Sequence, residues 1–214
     1  MKIVVVAGQA RKVGKTSVVV GLIRGLRRLH WTAVKISTHR YGVPHSDDAA
    51  SGGDGNPNFI LTEETTPSAF TDTGRFLAAG ARRALWLRVK SDGWQGAVAS
   101  LLESLAGDET VIIESGSIMN LVAPKVGILV LDRSRREMKA NARRALASAA
   151  AVVEIRPAGR RPSRLLHLPP RVRRFTVRRK DYSNPKLNRF VLLELRRLEN
   201  SHLARPRPVG DITD

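Results

Sequence analysis

Cysteine is absent from the 214-residue sequence, so disulfides, thiolate metal sites and cysteine nucleophiles are excluded. No apolar run approaches the ~20 residues that a bilayer-spanning helix needs. The apolar run near the N-terminus is followed by Arg11, Lys12 and Lys15 where a signal peptide would have small residues. The sequence therefore predicts a soluble, cytoplasmic protein without a membrane segment.

Aromatic and acidic residues are both scarce. Aromatic residues are 5% of the chain, and 19 Asp and Glu stand against 37 Lys and Arg, a formal net charge of +18. Such a charge attracts phosphates, whether in nucleic acid or in a small anionic substrate. Because basic and aromatic residues do not alternate as in a base-stacking platform, nucleic acid is a possible partner that the composition does not favour. A solvated, arginine-rich surface explains the same excess.

Segments of strand character alternate with segments of helical character. The strands read as continuous apolar runs, which is typical of a parallel sheet covered on both faces. The pattern predicts an α/β fold in three layers, with helices on both faces of a mostly parallel sheet. Strands are predicted at 2–8, 32–37, 83–89, 110–115, 125–132 and 150–155, with an edge strand at 171–177, and helices at 15–29, 92–107, 134–148 and 185–198.

The length favours one domain. We predict a single domain over 1–200, made of a core over 1–155 and a basic C-terminal extension over 156–200, followed by a flexible tail over 201–214. Residues 39–71 are rich in Gly, Pro, Asp, Asn and Thr and have no sustained periodicity. Such a stretch is interpreted as a long irregular loop that is functional or disordered.

The segment VVVAGQARKVGKTSVVVGLI, residues 4–23, has the parts of a phosphate-binding loop in the right order. A buried strand is followed by a Gly-containing loop, a lysine, a hydroxyl that can meet Mg²⁺ and an apolar helix, whose N-terminal dipole favours an anion. Five residues instead of four separate the two glycines, and a plain Gly turn is the alternative. The predicted phosphate-binding residues are Gly8, Gln9, Ala10, Arg11, Lys12, Val13, Gly14, Lys15, Thr16 and Ser17.

Carboxylates and a further lysine complete the predicted site. The strand at 110–115 brings Glu114 to the sheet edge where ligands of open α/β sheets bind. The second strand brings Lys35 to the same edge, where it is predicted to contact a terminal phosphate or an anionic substrate. We predict Lys15 and Glu114 as catalytic residues, and Thr16, Glu114 and Asp47 as contacts of Mg²⁺. The alternatives are that Glu114 only caps the next turn and that Lys35 is an ordinary surface lysine.

Several segments resemble the family of molybdopterin-guanine dinucleotide biosynthesis protein B (MobB). The loop GQARKVGKT resembles those of MobB and dethiobiotin synthetase, and VIIESGSIMNLVAPKVGILVLD looks like the MobB strand, turn and strand. In TDTGRFLAAGARRALWL, a MobB-like pattern is carried by Asp72, Thr73, Arg75, Ala79, Gly80 and Ala81. Asp72 can alternatively cap a short helix that ends at Gly80, whereas capping does not explain Arg75. Arg75 is therefore predicted to contact a phosphate or to pair with Asp72 or Glu63.

The resemblance covers about residues 1–155 and implies a P-loop NTPase fold, Mg²⁺-dependent GTP binding with slow hydrolysis, a supporting role in molybdenum-cofactor nucleotide attachment, and a homodimer. Two alternatives stay open. One is an ATP-dependent kinase or ligase of the dethiobiotin synthetase type, with an anionic small-molecule substrate under the loop 39–71. The other is a nucleotide-gated switch that binds nucleic acid or a partner protein. No Asn-Lys-x-Asp motif is present to decide between GTP and ATP.

Overall fold

The computed structural model describes residues 1–39, 58–90, 93–135, 138–156, 168–179 and 181–197. Strands and helices alternate along most of these ranges. The strands are β1 (Lys2–Gly8), β2 (Thr32–His39), β3 (Phe59–Glu64), β4 (Arg83–Lys90), β5 (Thr110–Glu114), β6 (Val126–Asp132), β7 (Ala151–Arg156) and β8 (Arg173–Arg178). The α-helices are α1 (Lys15–Gly25), α2 (Asp72–Ala79), α3 (Trp94–Ser104), α4 (Ala140–Ser148) and α5 (Pro185–Arg196).

The described strands form one eight-stranded sheet in the order β3-β4-β2-β5-β1-β6-β7-β8. Neighbouring strands run parallel, except that β3 is antiparallel to β4. On one side of β1 the strands follow in the order β5, β2, β4 and β3, and on the other side in the order β6, β7 and β8. After β5 the chain passes from the first side of β1 to the other. Such a reversal of strand order leaves a crevice at the carboxyl ends of the central strands. The predicted mostly parallel α/β sheet is confirmed.

Helices cover both faces of this sheet, and alternate residues of β1 show why. Side chains along a strand point to opposite faces. Val4 and Val6 pack in the core under α1, α2 and α5, whereas Ile3 and Val5 pack in the core under α3 and α4. Because both faces of β1 are covered, the strand is apolar throughout, as the sequence pattern indicated. The predicted three-layer architecture is confirmed.

The basic C-terminal part contributes to the same sheet and core. β8 pairs with β7 at the sheet edge, as predicted. Asn184 caps α5 by accepting a hydrogen bond from the Leu187 backbone N–H at 3.0 Å, and Pro185 occupies the first turn, where its missing N–H costs nothing. The spacing of Leu187, Val191 and Leu195 gives α5 one buried stripe. The domain boundaries remain a prediction, and the predicted flexible tail 201–214 lies outside the described residues.

Two elements differ from the expectation. The irregular interpretation of 39–71 is wrong for β3, an edge strand whose Ile60 is buried while its other side chains are partly or fully exposed. The alternation of apolar and polar residues that marks a strand is therefore weak in β3. The helix predicted from 134 begins only at Ala140, because after β6 the Asp132 carboxylate accepts hydrogen bonds from Ser134 and closes a turn there. Within the described ranges, no helix has the length and apolar character needed to cross a membrane.

Candidate functional site

The loop between β1 and α1, residues 9–14, lies at the crevice beside the central strand. Two of its residues adopt left-handed backbone conformations, Lys12 with φ 55° and Gly14 with φ 100°. A turn that combines right-handed and left-handed residues brings successive backbone N–H groups toward a common point and forms an anion-binding nest. Gly14 begins α1 without a side-chain cap, and the first turn of α1 has no acidic residue. The start of α1 is therefore open to an external anion.

Both glycines of the loop are required by close packing. A Cβ atom on Gly8 would lie 2.6 Å from Val13 Cγ1 and 2.7 Å from Lys15 Cγ. A Cβ atom on Gly14 would lie 2.7 Å from Ile155 Cδ1, at a backbone conformation that L-residues with side chains rarely adopt. The loop thus folds tightly back over the end of β1, which carries Lys15 to the mouth of the crevice.

Glu114 is the centre of the polar cluster at this mouth. It ends β5, is only 1% exposed, and lies opposite Lys35 in the β2–β5 register. Lys35 Nζ donates to Glu114 Oε1 at 2.6 Å, and Thr16 Oγ1 donates to Oε2 at 2.8 Å. Lys15 Nζ lies 4.0 Å from Oε1. The structure therefore brings together four of the residues that the sequence singled out.

Asp72 joins the same cluster. Lys35 Nζ lies 2.6 Å from Asp72 Oδ2. The alternative that Asp72 caps α2 is wrong, because the cap is Thr71, whose hydroxyl accepts from the Gly74 backbone N–H at 3.0 Å. As the first residue of the helix, Asp72 is left to face Lys35. The sequence contained both Thr71 and Asp72 as good capping residues, and only the distant Lys35 distinguishes their roles.

Arg75 lies beside this cluster. Its Nη1 lies 3.6 Å from Asp72 Oδ1, one of the pairings that the sequence predicted, and its Nη2 donates to Ser17 Oγ at 3.4 Å. It does not pair with Glu63 in the structure, since Glu63 forms a two-contact ion pair with Arg83. Arg75 thus presents a guanidinium group next to the first turn of α1.

Burial and neighbouring charges shift the two lysines in opposite directions. Burial lowers the pKa of Lys15, and the attraction of Glu114 and Asp72 does not compensate for it. Burial also opposes the charge on Lys35, but the two carboxylates outweigh it and raise the pKa of Lys35. The pKa of Asp72 is lowered, because hydrogen bonding and attraction from Lys35 exceed the effect of burial. The charge of the Lys35 ammonium is therefore balanced by two carboxylates, whereas the carboxylates near Lys15 do not fully offset the cost of burying its charge.

The donor atoms at the cluster fit Mg²⁺. Mg²⁺ commonly takes one or two carboxylates together with waters and substrate phosphates, and Thr16 Oγ1, Glu114 and Asp72 supply a hydroxyl and two carboxylates. No group of three or more His, Asp or Glu side chains that could hold a metal ion occurs among the described residues. Bound Mg²⁺ would accordingly be held jointly by these side chains and by phosphate oxygens of the nucleotide. Asp47, the other predicted metal contact, lies outside the described residues.

Gln9 has a different environment from the rest of the loop. It is only 5% exposed. Its Oε1 accepts from the Asp132 backbone N–H at 3.0 Å, and its Nε2 donates to the Arg135 carbonyl at 3.1 Å. Its backbone N–H donates to the Val130 carbonyl at 2.9 Å. Gln9 therefore fastens the loop to β6. Of the other predicted loop residues, Val13 is buried, whereas Arg11 and Lys12 are exposed.

A cavity of about 290 Å³ borders the loop on the side of Thr16 and Ser17. We call it the tyrosine cavity, and it is lined by Lys12, Val13, Gly14, Thr16, Ser17, Arg75, Arg179 and Tyr182. Arg179 is placed by Asp132, whose Oδ2 lies 2.6 Å from Arg179 Nη2. The sequence analysis missed Asp132, Arg179 and Tyr182. The available signal was that β6 and β8 end at the same sheet edge as β1.

A larger cleft of about 480 Å³ is lined by Lys15. We call it the lysine cleft. Its lining includes Gly8, Ala10, Arg11, Lys15, Lys35, Ile36, Ser37, Thr38, Glu114, Ser115, Gly116, Ser117, Lys139, Asn141 and Ala142. Among the described residues, the two spaces share no lining residue, and only the lysine cleft is lined by Lys15 and Glu114.

No protein-family model matches the sequence, and no curated protein matches it. Among solved structures, a similar chain is described as the "apo" form of LpxK from Aquifex aeolicus in complex with ATP. The identity is 17% and the TM-score 0.43, with 72% of this chain and 48% of that chain covered. The present chain therefore spans about half the length of the solved structure it matches.

Proposed function

We propose that the protein binds a nucleoside triphosphate together with Mg²⁺ at the β1–α1 loop and hydrolyses it slowly. The observation that carries this proposal is the convergence of Lys15, Thr16, Lys35 and Glu114 at the mouth of a glycine-constrained loop. Each has a counterpart in the chemistry of triphosphates: an ammonium for the β- and γ-phosphates, a hydroxyl and a carboxylate for the metal, and a second cation for the terminal oxygens.

The two spaces beside the loop suggest how the nucleotide lies. Backbone N–H groups of such loops hold the inner phosphates, and the lysine meets the outer ones. The terminal phosphate would then lie at Lys15 and Lys35, next to the lysine cleft. The nucleoside would extend past Ser17 into the tyrosine cavity, where Tyr182 and Arg179 offer an aromatic ring and a planar cation. Stacking on such groups accepts any base.

Catalysis in this proposal consists of positioning and charge neutralisation. Bound Mg²⁺ would supply neutralisation of charge on the β- and γ-oxygens. Lys15 and Lys35 hold the terminal phosphate, and the raised pKa of Lys35 keeps its ammonium charged at neutral pH. Glu114 orients the attacking water, and its contacts with Thr16 and Lys35 fix its carboxylate.

A MobB-type role is the finer part of the proposal. It comprises GTP as the nucleotide, support of molybdenum-cofactor nucleotide attachment, and a homodimer. Its support is the sequence resemblance, together with the position of the MobB-like residues Asp72 and Arg75 beside Lys35 and Ser17.

The lysine cleft favours one other candidate function, an ATP-dependent kinase or ligase for a small anionic substrate. A cleft of about 480 Å³ lies within the range of small-molecule sites. Water alone, the acceptor in hydrolysis, does not need such a space. ADP release that depends on an added substrate would favour this candidate over the MobB-type role.

Titration calorimetry of ATP and GTP with Mg²⁺ tests the proposal on wild type and on Lys15→Ala. The matched control is Lys186→Ala, which removes an equal charge from an exposed position on α5. Because burial lowers the pKa of Lys15, its ammonium is disfavoured in the ligand-free fold, and Lys15→Ala should remain folded. We expect binding in wild type and Lys186→Ala and at least about 100-fold weaker binding in Lys15→Ala. Equal binding in all three would refute the proposal.

A further inference from the structure

The lysine cleft reaches well beyond the place that a terminal phosphate needs. Lys15, Lys35 and Glu114 form its inner end. Thr38 also lines it and lies three residues farther along β2, about 10 Å at ~3.3 Å per residue. Lys139 and Asn141, at the start of α4, line the cleft as well, and we call the part bordered by Arg11, Thr38, Lys139 and Asn141 its outer part. With a phosphate at Lys15, the outer part of the cleft would still be open to a second molecule.

Charge in this cleft is strongly one-sided. Arg11, Lys15, Lys35 and Lys139 all line it, and Glu114 is the single acidic residue among the described residues of its lining. Glu114 is committed to Lys15 and Lys35 at the inner end. At the outer end, Arg11 and Lys139 have no ion pair within the described part of the chain. A small anion would therefore find unneutralised positive charge there.

The outer wall is also held in a defined shape. Asn141 Nδ2 donates to Ser117 Oγ at 3.2 Å, which ties α4 to the loop after β5. The Lys139 backbone N–H donates to the Gln9 carbonyl at 3.3 Å, which ties the start of α4 to the β1–α1 loop. Lys139 is thus attached by its backbone to the nucleotide loop. Its ammonium is close enough to Lys15 to contribute to the lowered pKa of Lys15.

We infer that the outer part of the lysine cleft binds a second, small anionic ligand, one that carries a phosphate or a carboxylate. Lys139 and Arg11 hold its anionic group, and Asn141 and Ser117 form the wall against which it rests. The ligand lies next to the terminal phosphate of the nucleotide, so the inference rests on the proposed function. It adds to that function a subsite with its own residues and its own ligand class.

The test uses the full chain saturated with Mg²⁺ and a non-hydrolysable nucleotide, so that added anions do not enter the β1–α1 loop. Adenosine and guanosine imidotriphosphate are tried first, and their binding is measured by calorimetry. Inorganic phosphate and succinate are then titrated in separate arms at constant ionic strength. The variants are Lys139→Ala, Asn141→Asp and the equal-charge control Lys186→Ala. Asn141→Asp keeps the side-chain shape and adds a negative charge to the cleft.

We expect one saturable anion site per chain in wild type and in Lys186→Ala. Lys139→Ala should weaken it about 10- to 100-fold, the value of a charge-assisted hydrogen bond, and Asn141→Asp should weaken it at least as much. The arm with the tighter binding identifies phosphate or carboxylate as the ligand chemistry. No saturable binding, or equal weakening by Lys139→Ala and Lys186→Ala, would overturn the inference. Failure of the imidotriphosphates to bind would instead refute the proposed function.

Discussion

Replacement of Glu114 by Gln removes the charge at the centre of the cluster while it keeps the side-chain shape. The substitution removes the charge-assisted contacts of the Glu114 carboxylate with Lys35 and Thr16, at 2.6 and 2.8 Å, and its attraction to the nearby Lys15 ammonium. Breaking a buried pair costs about 3–5 kcal/mol. Since Lys35 retains Asp72 and the amide still offers hydrogen bonds, we expect the free energy of unfolding to fall by about 2–3 kcal/mol.

The more specific effect concerns Mg²⁺ and nucleotide. A ligand present at 100 times its Kd stabilises the folded state by about 2.7 kcal/mol. We expect the wild type to gain this amount from nucleotide with Mg²⁺ and much less from nucleotide with EDTA. In Glu114→Gln, the added effect of Mg²⁺ should fall below about 1 kcal/mol, because one of the metal's carboxylates is gone. Urea unfolding with and without each component measures both quantities.

Glu154→Gln is the matched control. Glu154 is also buried, in β7, but its ion-pair partners are Arg133 and Arg174 at 3.5 and 3.4 Å instead of a lysine at the β1–α1 loop. These longer contacts to partly exposed arginines suggest a loss of about 1 kcal/mol. The response to Mg²⁺ and nucleotide should be retained in this variant. If Glu114→Gln kept the full Mg²⁺ response, or Glu154→Gln lost it, the assignment of Glu114 to the metal would be refuted.

Two further predictions concern the loop and its neighbour Asp132. Gly14→Ala should lower the free energy of unfolding by about 1–3 kcal/mol in urea titrations and abolish nucleotide binding. The added Cβ would lie 2.7 Å from Ile155 Cδ1, so the double variant Gly14→Ala, Ile155→Val should recover part of the lost stability. Unchanged stability in the single variant Gly14→Ala would contradict the close packing at this glycine. Ser134 and Arg179 lower the pKa of Asp132 against the opposing effect of burial. The stability that the Asp132 carboxylate contributes should therefore be fully present above pH 3.8, the ordinary pKa of Asp, and be lost as pH falls through the lowered pKa. Acid unfolding of Asp132→Asn should lack this loss of stability. Identical acid-unfolding profiles of wild type and Asp132→Asn would contradict the stabilising role of Asp132.

The central sheet was predictable because its strands are buried on both faces. β1, β5 and β6 appear in the sequence as short apolar runs; β5 and β6 end in carboxylates, and β1 ends at Gly8, where the loop that leads to Lys15 begins. Parallel strands bring such ends to one edge, which is why Glu114 and Lys15 could be expected to meet. β3 gave no such signal, since an edge strand covered on one side need not be apolar throughout.

The role of Asp72 was not predictable from local sequence. Thr71 and Asp72 are adjacent and both are good helix caps, so capping rules alone do not rank them. Their roles differ because Lys35 Nζ, from β2, lies 2.6 Å from Asp72 Oδ2. Gln9 is similar: its place in the loop suggested a phosphate contact, but its side chain bonds to the end of β6, more than 120 residues away. Such pairings arise only when the strands assemble.

The most direct measurement is a crystal structure of the protein with Mg²⁺ and the imidotriphosphate that binds more tightly. With a net charge of +18, nucleotide binding alone does not identify where the phosphates lie. We expect the β- and γ-phosphates to lie in the β1–α1 loop within hydrogen-bonding distance of Lys15 Nζ, with Mg²⁺ at Thr16 Oγ1. A nucleotide bound elsewhere on the basic surface, with the loop empty, would contradict this expectation.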